Sequence, residues 1–263
     1  GAPAGAGIRA WGARVRGGVT GEGRVGTGVV GNAGGSCAPG LGRLAGVVVH
    51  IIPMEHQYLL TRPAGLHRDM PTMRDPSLLV YYRPESGGLV MGGYERNPAP
   101  WSLDGIAPDF NGRLLDEDWD RFAPLMENAI VRTQSIRDAE VVKLINGPEA
   151  FTPDGEFILG PTEVPGLWVA AGFNAHGIAG AGGMGRLVAE WIVEGRPDLD
   201  AWEMDSRRFG RHYASREYTL ARTYEIYSTY YDVRYPGHER SAGRPLRSSP
   251  PYGRWAEQGA AFV

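Results

Sequence analysis

The chain has 263 residues, 42% apolar and 22% charged, with a net charge of −3. That is enough for one large domain or two modest ones with a real core, and it excludes a disordered chain, a collagen and a nucleic-acid-coating protein. No run approaches the roughly 18 uninterrupted apolar residues of a spanning helix, so no membrane association is expected; the single cysteine, Cys37, excludes a disulfide framework and points to a reducing, cytoplasmic compartment.

Residues 1–46 stand apart. They hold 16 of the 39 glycines, and Arg9, Arg14, Arg16, Arg24 and Arg43 face a single acid, Glu22, so residues 47–263 carry the acidic balance. The start at Gly1, with no serine in residues 1–30, reads as the broken end of a longer gene rather than a transit peptide. Gly26-Thr-Gly28-Val-Val-Gly31 formally matches the dinucleotide motif G-x-G-x-x-G. That turn needs a buried strand feeding it and a helix leaving it. The flanks Val-Thr-Gly-Glu-Gly-Arg and Asn-Ala-Gly-Gly-Ser supply neither, and the match is rejected as a nucleotide site.

From Val47 onward, strands are predicted over Glu55–Thr61, Leu78–Arg83, Gly88–Glu95, Glu140–Ile145, Gly155–Leu159 and Leu167–Ala171, each rich in Val, Ile, Leu or Tyr. Several follow one another with no helix between, which predicts antiparallel pairing and an α+β class. Asp116 is expected to cap a helix over Asp118–Val131, whose Trp119, Phe122, Leu125 or Met126, and Ala129 recur at helical spacing. A second helix follows Gly182, and a third spans about Ser206–Tyr227. The aromatic residues of the third alternate with arginines, but their helical spacing and the acidic balance make them a buried stripe rather than a nucleic-acid platform.

Metal and hydrolase chemistry find little support. His50, Glu55 and His56 lack the spacing of an inverted zincin, and no G-x-S-x-G elbow is present, so no metal site is expected. In Met54–Thr61 a period of two puts His56, Tyr58 and Leu60 on one strand face and Glu55, Gln57 and Leu59 on the other. Two readings stand for the first face: hydrogen-bonded core, or a polar handle in a pocket. The strongest local signal is Leu167–Ile192, where a buried strand ends at Gly172, a glycine-rich loop follows, and a helix begins with Leu187, Val188, Trp191 and Ile192 on one side. The unpaired amides and positive dipole end of that helix form a site for an anion or for charge developing in a reaction.

This segment, with four others, resembles the glycine-oxidase-like branch of the D-amino-acid oxidase superfamily: the dimethylglycine and sarcosine dehydrogenases and their non-catalytic relative, the regulatory subunit of pyruvate dehydrogenase phosphatase. The matching stretches are Pro53–Thr61, Val80–Arg83 with Gly92–Glu95, Ile145–Asp154, Ala171–Gly183 and Gly243–Pro250, within about residues 41–263. The resemblance implies an antiparallel-sheet substrate domain joined to the C-terminal strand–loop–helix of an FAD-binding domain. It places Gly172, Phe173, Asn174, Ala175, His176, Gly177 and Ile178 against the isoalloxazine of FAD, where a helix N-terminus stabilises the anionic reduced ring. It implies a small-molecule amine substrate, an N-methylated glycine, with Tyr58 positioning it and no catalytic role for His176. Asn146–Asp154 is expected either to line the same space or to form a proline corner.

The resemblance also divides the chain: residues 1–46 a poorly matching remnant of the FAD-binding lobe, 47–195 the substrate domain with the returning 167–195 segment, and 196–263 a helical extension and linker. The family's βαβ unit for the ADP half of FAD, and the histidine that often links to flavin, have no counterpart here; a partner chain supplying that lobe is one expectation. Three functions follow: an FAD-dependent amine oxidoreductase or part of one, a flavin-free regulatory module, or an inactive fragment.

Overall fold

A computed structural model describes residues 7–11, 14–245 and 247–261. The described residues form three sheets. β1 (Gly7–Trp11), β2 (Arg14–Thr20) and β3 (Gly23–Gly26) make an antiparallel meander. β4 (Val30–Asn32) lies parallel to a late strand, so the Gly26–Gly31 segment runs from the end of β3 into β4 rather than from a strand straight into a helix. After a short helix, α1 (Ala38–Arg43), comes a five-stranded sheet with the expected antiparallel pairing, four of its strands expected from sequence and β6 not: β5 (Ile52–Thr61), β6 (Met73–Asp75), β7 (Val80–Glu85), β8 (Gly88–Gly93) and, beyond α2 (Trp119–Arg132), β9 (Val141–Phe151). Its order is β6-β7-β8-β5-β9. β10 (Ile158–Pro161) and β11 (Leu167–Ala171) complete the sheet that contains β4, and the helices α3 (Gly177–Glu194), α4 (Arg216–Ser228) and α5 (Tyr252–Glu257) follow.

The alternation read along β5 decides how the large sheet is covered. Leu59 packs with Tyr82, Met91 and Leu144 against Phe122, Leu125 and Ala129 of α2. Gln57, on the same face, clamps the start of α2 by accepting from Asp118 N at 2.8 Å and donating to Asp118 O at 3.0 Å. The opposite face, with Met54, meets Ile226 and Tyr227 of α4, joined by Tyr94 and Phe151. Val15 and Ala38 from the glycine-rich region are fully buried beside Val169 and Ala171, so that region shares a core with β11.

Strands β5, β7, β8 and β10 shift by two or three residues at an end, and four other departures have local reasons. Asp118 rather than Asp116 caps α2, its Oδ1 accepting from Arg121 N at 3.0 Å, while the Asp116 carbonyl is taken by Asn146 Nδ2 at 2.8 Å. β9 runs on to Phe151 because ten-residue β5 offers partners that far, and Pro148 is tolerated because β9 is an edge strand. α3 begins at Gly177, ahead of Gly182, since its glycines cost helix propensity without preventing it. The third helix shrinks to α4 because Gly210 is extended and the Ser215 hydroxyl caps it, accepting from Tyr218 N.

His50 precedes β5, its ring 4.7 Å from that of Phe209. Burial lowers its pKa from 6.5 to about 4, against a hydrogen bond with the Tyr213 backbone. Between those values the unfolded chain binds a proton that the folded one does not, so stability falls as pH drops through this window. Allowing for partial exposure, about 1–2 kcal/mol is expected to be lost by the lower end. Urea unfolding at neutral and mildly acidic pH should show this loss in the wild type and a smaller one in His50→Phe; equal losses would remove His50 as the cause.

Candidate active site

Three strands bring the site together. Tyr58 on β5 lies opposite Gly92 on β8, which lies opposite Tyr81 on β7. A Cβ at Gly92 would collide with the Tyr81 hydroxyl and come within 2.9 Å of Tyr58 Cβ, so glycine is what lets the two tyrosines flank one line across the sheet. The β7–β8 hairpin fixes this register through Ser86 and Gly87, both at positive φ, as a two-residue primed turn requires. On the same face, His56 pairs with Gly147 of β9, and Glu149 stands one diagonal step away, opposite Met54.

These residues open into a cleft of about 500 Å³ lined by His56, Tyr58, Arg74, Tyr81, Tyr94 and Glu149, closed on the other side by Ala175, His176, Tyr230 and Tyr231. Tyr58 and two residues of the expected flavin loop thus meet in one cavity. A larger cleft, 690 Å³, runs between α1 and residues 48–53 under the 102–108 loop. Its Arg216 is paired with Asp104 at 2.8 Å and its His50 is held neutral by burial, so it offers less chemistry than the smaller one.

His56 is buried and hydrogen-bonded at both ring nitrogens: Nδ1 lies 2.9 Å from Tyr227 Oη and Nε2 3.2 Å from Tyr81 Oη. Tyr227 Oη in turn lies 3.0 Å from Glu95 Oε2. A phenol has one proton to give. With the Tyr227 proton on Glu95, the His56 Nδ1–H donates to Tyr227, and Nε2 is left to accept from Tyr81. The core reading of His56 therefore holds, and the polar-handle reading holds one atom further out, at Tyr81. Burial, then the charge of Glu149, raises the Tyr81 pKa far above its ordinary value, so Tyr81 stays protonated. Burial also raises the Glu95 carboxyl, opposed by His56, Tyr227 and Arg121.

The loop after β11 is fixed from within. Asn174 is fully buried; its Oδ1 accepts from Thr152 N at 2.8 Å and its Nδ2 donates to Gly172 O at 2.9 Å. Gly172 sits at φ +68°, where a Cβ would meet Thr152 Cγ2 at 2.6 Å. Tyr230 donates to Asn174 O at 2.6 Å and lies 2.8 Å from His176 Nδ1, tying the loop to the segment after α4. Phe173 stacks on Phe157 at 4.6 Å, behind the loop. In front, the Gly177, Ile178 and Ala179 amides open α3 without intrahelical acceptors. Ile178 is fully exposed, and a Cβ at Gly177, Gly182, Gly183 or Gly185 would meet nothing within 4 Å. An apolar, donor-bearing face of this kind fits the isoalloxazine end of FAD.

A model described as FAD dependent oxidoreductase matches residues 4–191, through the glycine-rich region as well, and one described as FAD dependent oxidoreductase central domain matches 194–249. The chain belongs to the FAD-dependent oxidoreductase family. Its cofactor is accordingly FAD. It is 40% identical to the pyruvate dehydrogenase phosphatase regulatory subunit of Mus musculus over 80% of this chain and 24% of that protein, and 36% identical to sarcosine dehydrogenase of Mus musculus over 92% and 26%. The chain thus spans about a quarter of the length of these curated relatives. The fold of the chain matches that of L-proline dehydrogenase from P. horikoshii, with TM-score 0.67 and 24% identity over 78% of this chain and 53% of that one. No helix among the described residues is long and apolar enough to cross a membrane, and no group of three or more His, Cys, Asp or Glu among them could hold a metal.

Sequence reasoning missed Arg74, Tyr81, Tyr94, Glu149, Tyr230 and Tyr231 as cleft residues. The hairpin register could have supplied Tyr81, since pairing outward from Ser86-Gly87 sets it opposite Gly92. Glu149 belonged to the stretch expected either to line the site or to turn a corner, and it lines the cleft from a strand rather than a loop.

Proposed function

We propose that this chain forms the substrate-binding and flavin-facing part of an amine oxidoreductase whose substrate is an N-methylated glycine, sarcosine or dimethylglycine. The observation that carries this reading is the single cleft joining Ala175 and His176, just ahead of α3, to Tyr58 and the His56–Tyr81 pair. FAD, when bound, supplies the acceptor for a hydride from the N-methyl carbon. Gly177, Ile178 and Ala179 would direct their amides at the flavin edge where negative charge grows, and Gly172–His176 would set its depth.

The chain's own residues manage the amine proton. Tyr81 Oη, its proton engaged with His56 Nε2, has lone pairs free to accept a substrate N–H. A proton leaving the nitrogen passes to Tyr81 as the phenol proton moves to His56, and the Glu95 carboxylate, reached through Tyr227, balances the imidazolium. Tyr58, beside this pair, would position the substrate. The ADP half of FAD would be held by further segments of a longer chain or by a partner subunit. The cytoplasmic placement read from the lone cysteine is part of this proposal, beside curated relatives whose names place them in mitochondria.

A titration of the purified chain with FAD, followed by visible absorption, tests the reading. A perturbed flavin band that sarcosine bleaches without oxygen is the expected result; an unperturbed band at saturating FAD overturns it for this chain. That outcome would favour the second reading, a flavin-free regulatory module, which the 40% identity to the phosphatase subunit supports.

A further inference from the structure

Glu149 brings a carboxyl group to the cleft that the proposed proton route leaves unused. Its Oε2 is buried and meets no hydrogen-bond donor among the described residues. Its charge contributes, after burial, to raising the pKa of Tyr81, Tyr94, Tyr227 and Tyr230, and it acts in the same direction on Tyr231. Glu149 itself is half-buried, and a carboxylate oxygen shut off from water with no donor favours the arrival of something positive to compensate it. The cation in the same cleft, Arg74, is engaged elsewhere: its guanidinium lies 3.9 Å from the Tyr231 ring centroid and donates to Tyr231 O at 3.3 Å, on the exposed side.

The cleft therefore holds a half-buried carboxylate with one buried oxygen, tyrosine rings and an exposed guanidinium. An amino-acid zwitterion has the complementary order, ammonium inward and carboxylate outward. Methyl groups on nitrogen spread the positive charge over a surface that suits aromatic faces and keep few N–H bonds needing acceptors. We propose that Glu149 is the counter-ion of the substrate's methylated ammonium, and that with the surrounding tyrosines it makes this cleft select cationic N-methyl amino acids over neutral acids of the same shape. This rests on reading the cleft as the substrate side of the flavin. It does not require flavin to be bound.

Calorimetric titration of the full chain with two isosteric probes tests it: betaine, whose quaternary nitrogen is always positive, and 3,3-dimethylbutanoate, which has carbon in its place. The wild type should bind betaine at least ~10-fold more tightly, the scale of a desolvated cation contact. Glu149→Gln should abolish that preference while still binding 3,3-dimethylbutanoate, and Glu149→Asp, which keeps the charge, should retain more than about threefold. Equal binding of the two probes by the wild type, binding of neither, or a preference that survives in Glu149→Gln overturns the proposal. If Glu149→Gln shows no folded thermal transition, the Asp variant decides, its loss of preference counting against the assignment. A betaine preference without flavin binding would leave this site standing and the flavoenzyme reading fallen; flavin binding without the preference would do the reverse.

Discussion

Replacing Arg121 by Met is expected to lower the free energy of unfolding by about 3–5 kcal/mol, the cost of stripping a buried carboxylate of its cation. Arg121, on α2, reaches through the sheet's covered face with its side chain 8% exposed, placing Nη2 2.7 Å from Glu55 Oε2 and Nε 3.1 Å from Glu95 Oε1. Glu95 is more buried still, at 4%. Without the guanidinium, Asn146 Nδ2 still donates to Glu55 at 2.9 Å, but Glu95 keeps only its own backbone amide and the Tyr227 hydroxyl, and burial drives its carboxyl to take up a proton. Urea midpoints would read the loss, and the double variant Arg121→Met with Glu95→Gln should recover about half, because a neutral amide no longer needs the cation. A loss under ~1 kcal/mol in the single variant would mean that water already screens this pair. The effect reaches the cleft, since Glu95 is the far end of the chain of contacts through Tyr227 and His56 to Tyr81.

What could be read from sequence divides along physical lines. β11 was legible to the residue because five apolar residues end at a glycine that must take positive φ, a purely local signal. The two faces of β5 were legible because a strand's period is fixed, and Leu59 against α2 with His56 toward the cleft is that alternation realised. The cap of α2 was missed by two residues because two aspartates compete for it, and the winner is chosen by Gln57, sixty-one positions away. The site divides the same way. Of the cleft residues, Tyr58, Ala175 and His176 lie in stretches singled out from sequence and Glu149 in one expected either to line the site or to form a proline corner, whereas Tyr230 arrives through the segment after α4, whose placement no short stretch encodes. The glycine-rich first region is the sharpest case. Its composition suggested an outlier, yet Val15 is buried against β11 because Val15 N donates to Pro165 O at 2.9 Å and carries β2 onto that core.

Asn174→Ala is expected to cost about 2–4 kcal/mol and to loosen the loop against which FAD would rest, because one side chain satisfies two buried backbone groups. Its amide gives Thr152 N an acceptor at 2.8 Å and Gly172 O a donor at 2.9 Å, while its own backbone holds φ +44°. Alanine leaves both partners unmet in a site closed to water. Asn174→Asp separates this account from a simple loss of packing, since it keeps the shape. As a carboxylate, the new side chain could accept from Thr152 N but would set a second oxygen against Gly172 O; protonated, it could again donate. Burial raises such a carboxyl above its unfolded value of about 3.9. A raised folded pKa means stability is fullest in acid and is lost as pH climbs through that value. Measured against the wild type at each pH, the deficit of Asn174→Asp in urea unfolding should therefore grow from about pH 5 to about pH 8, whereas that of Asn174→Ala should stay flat. Parallel, pH-independent deficits would mean that the loop is held by the packing of Phe173 on Phe157 and by Tyr230, and that the Asn174 amide is incidental to it.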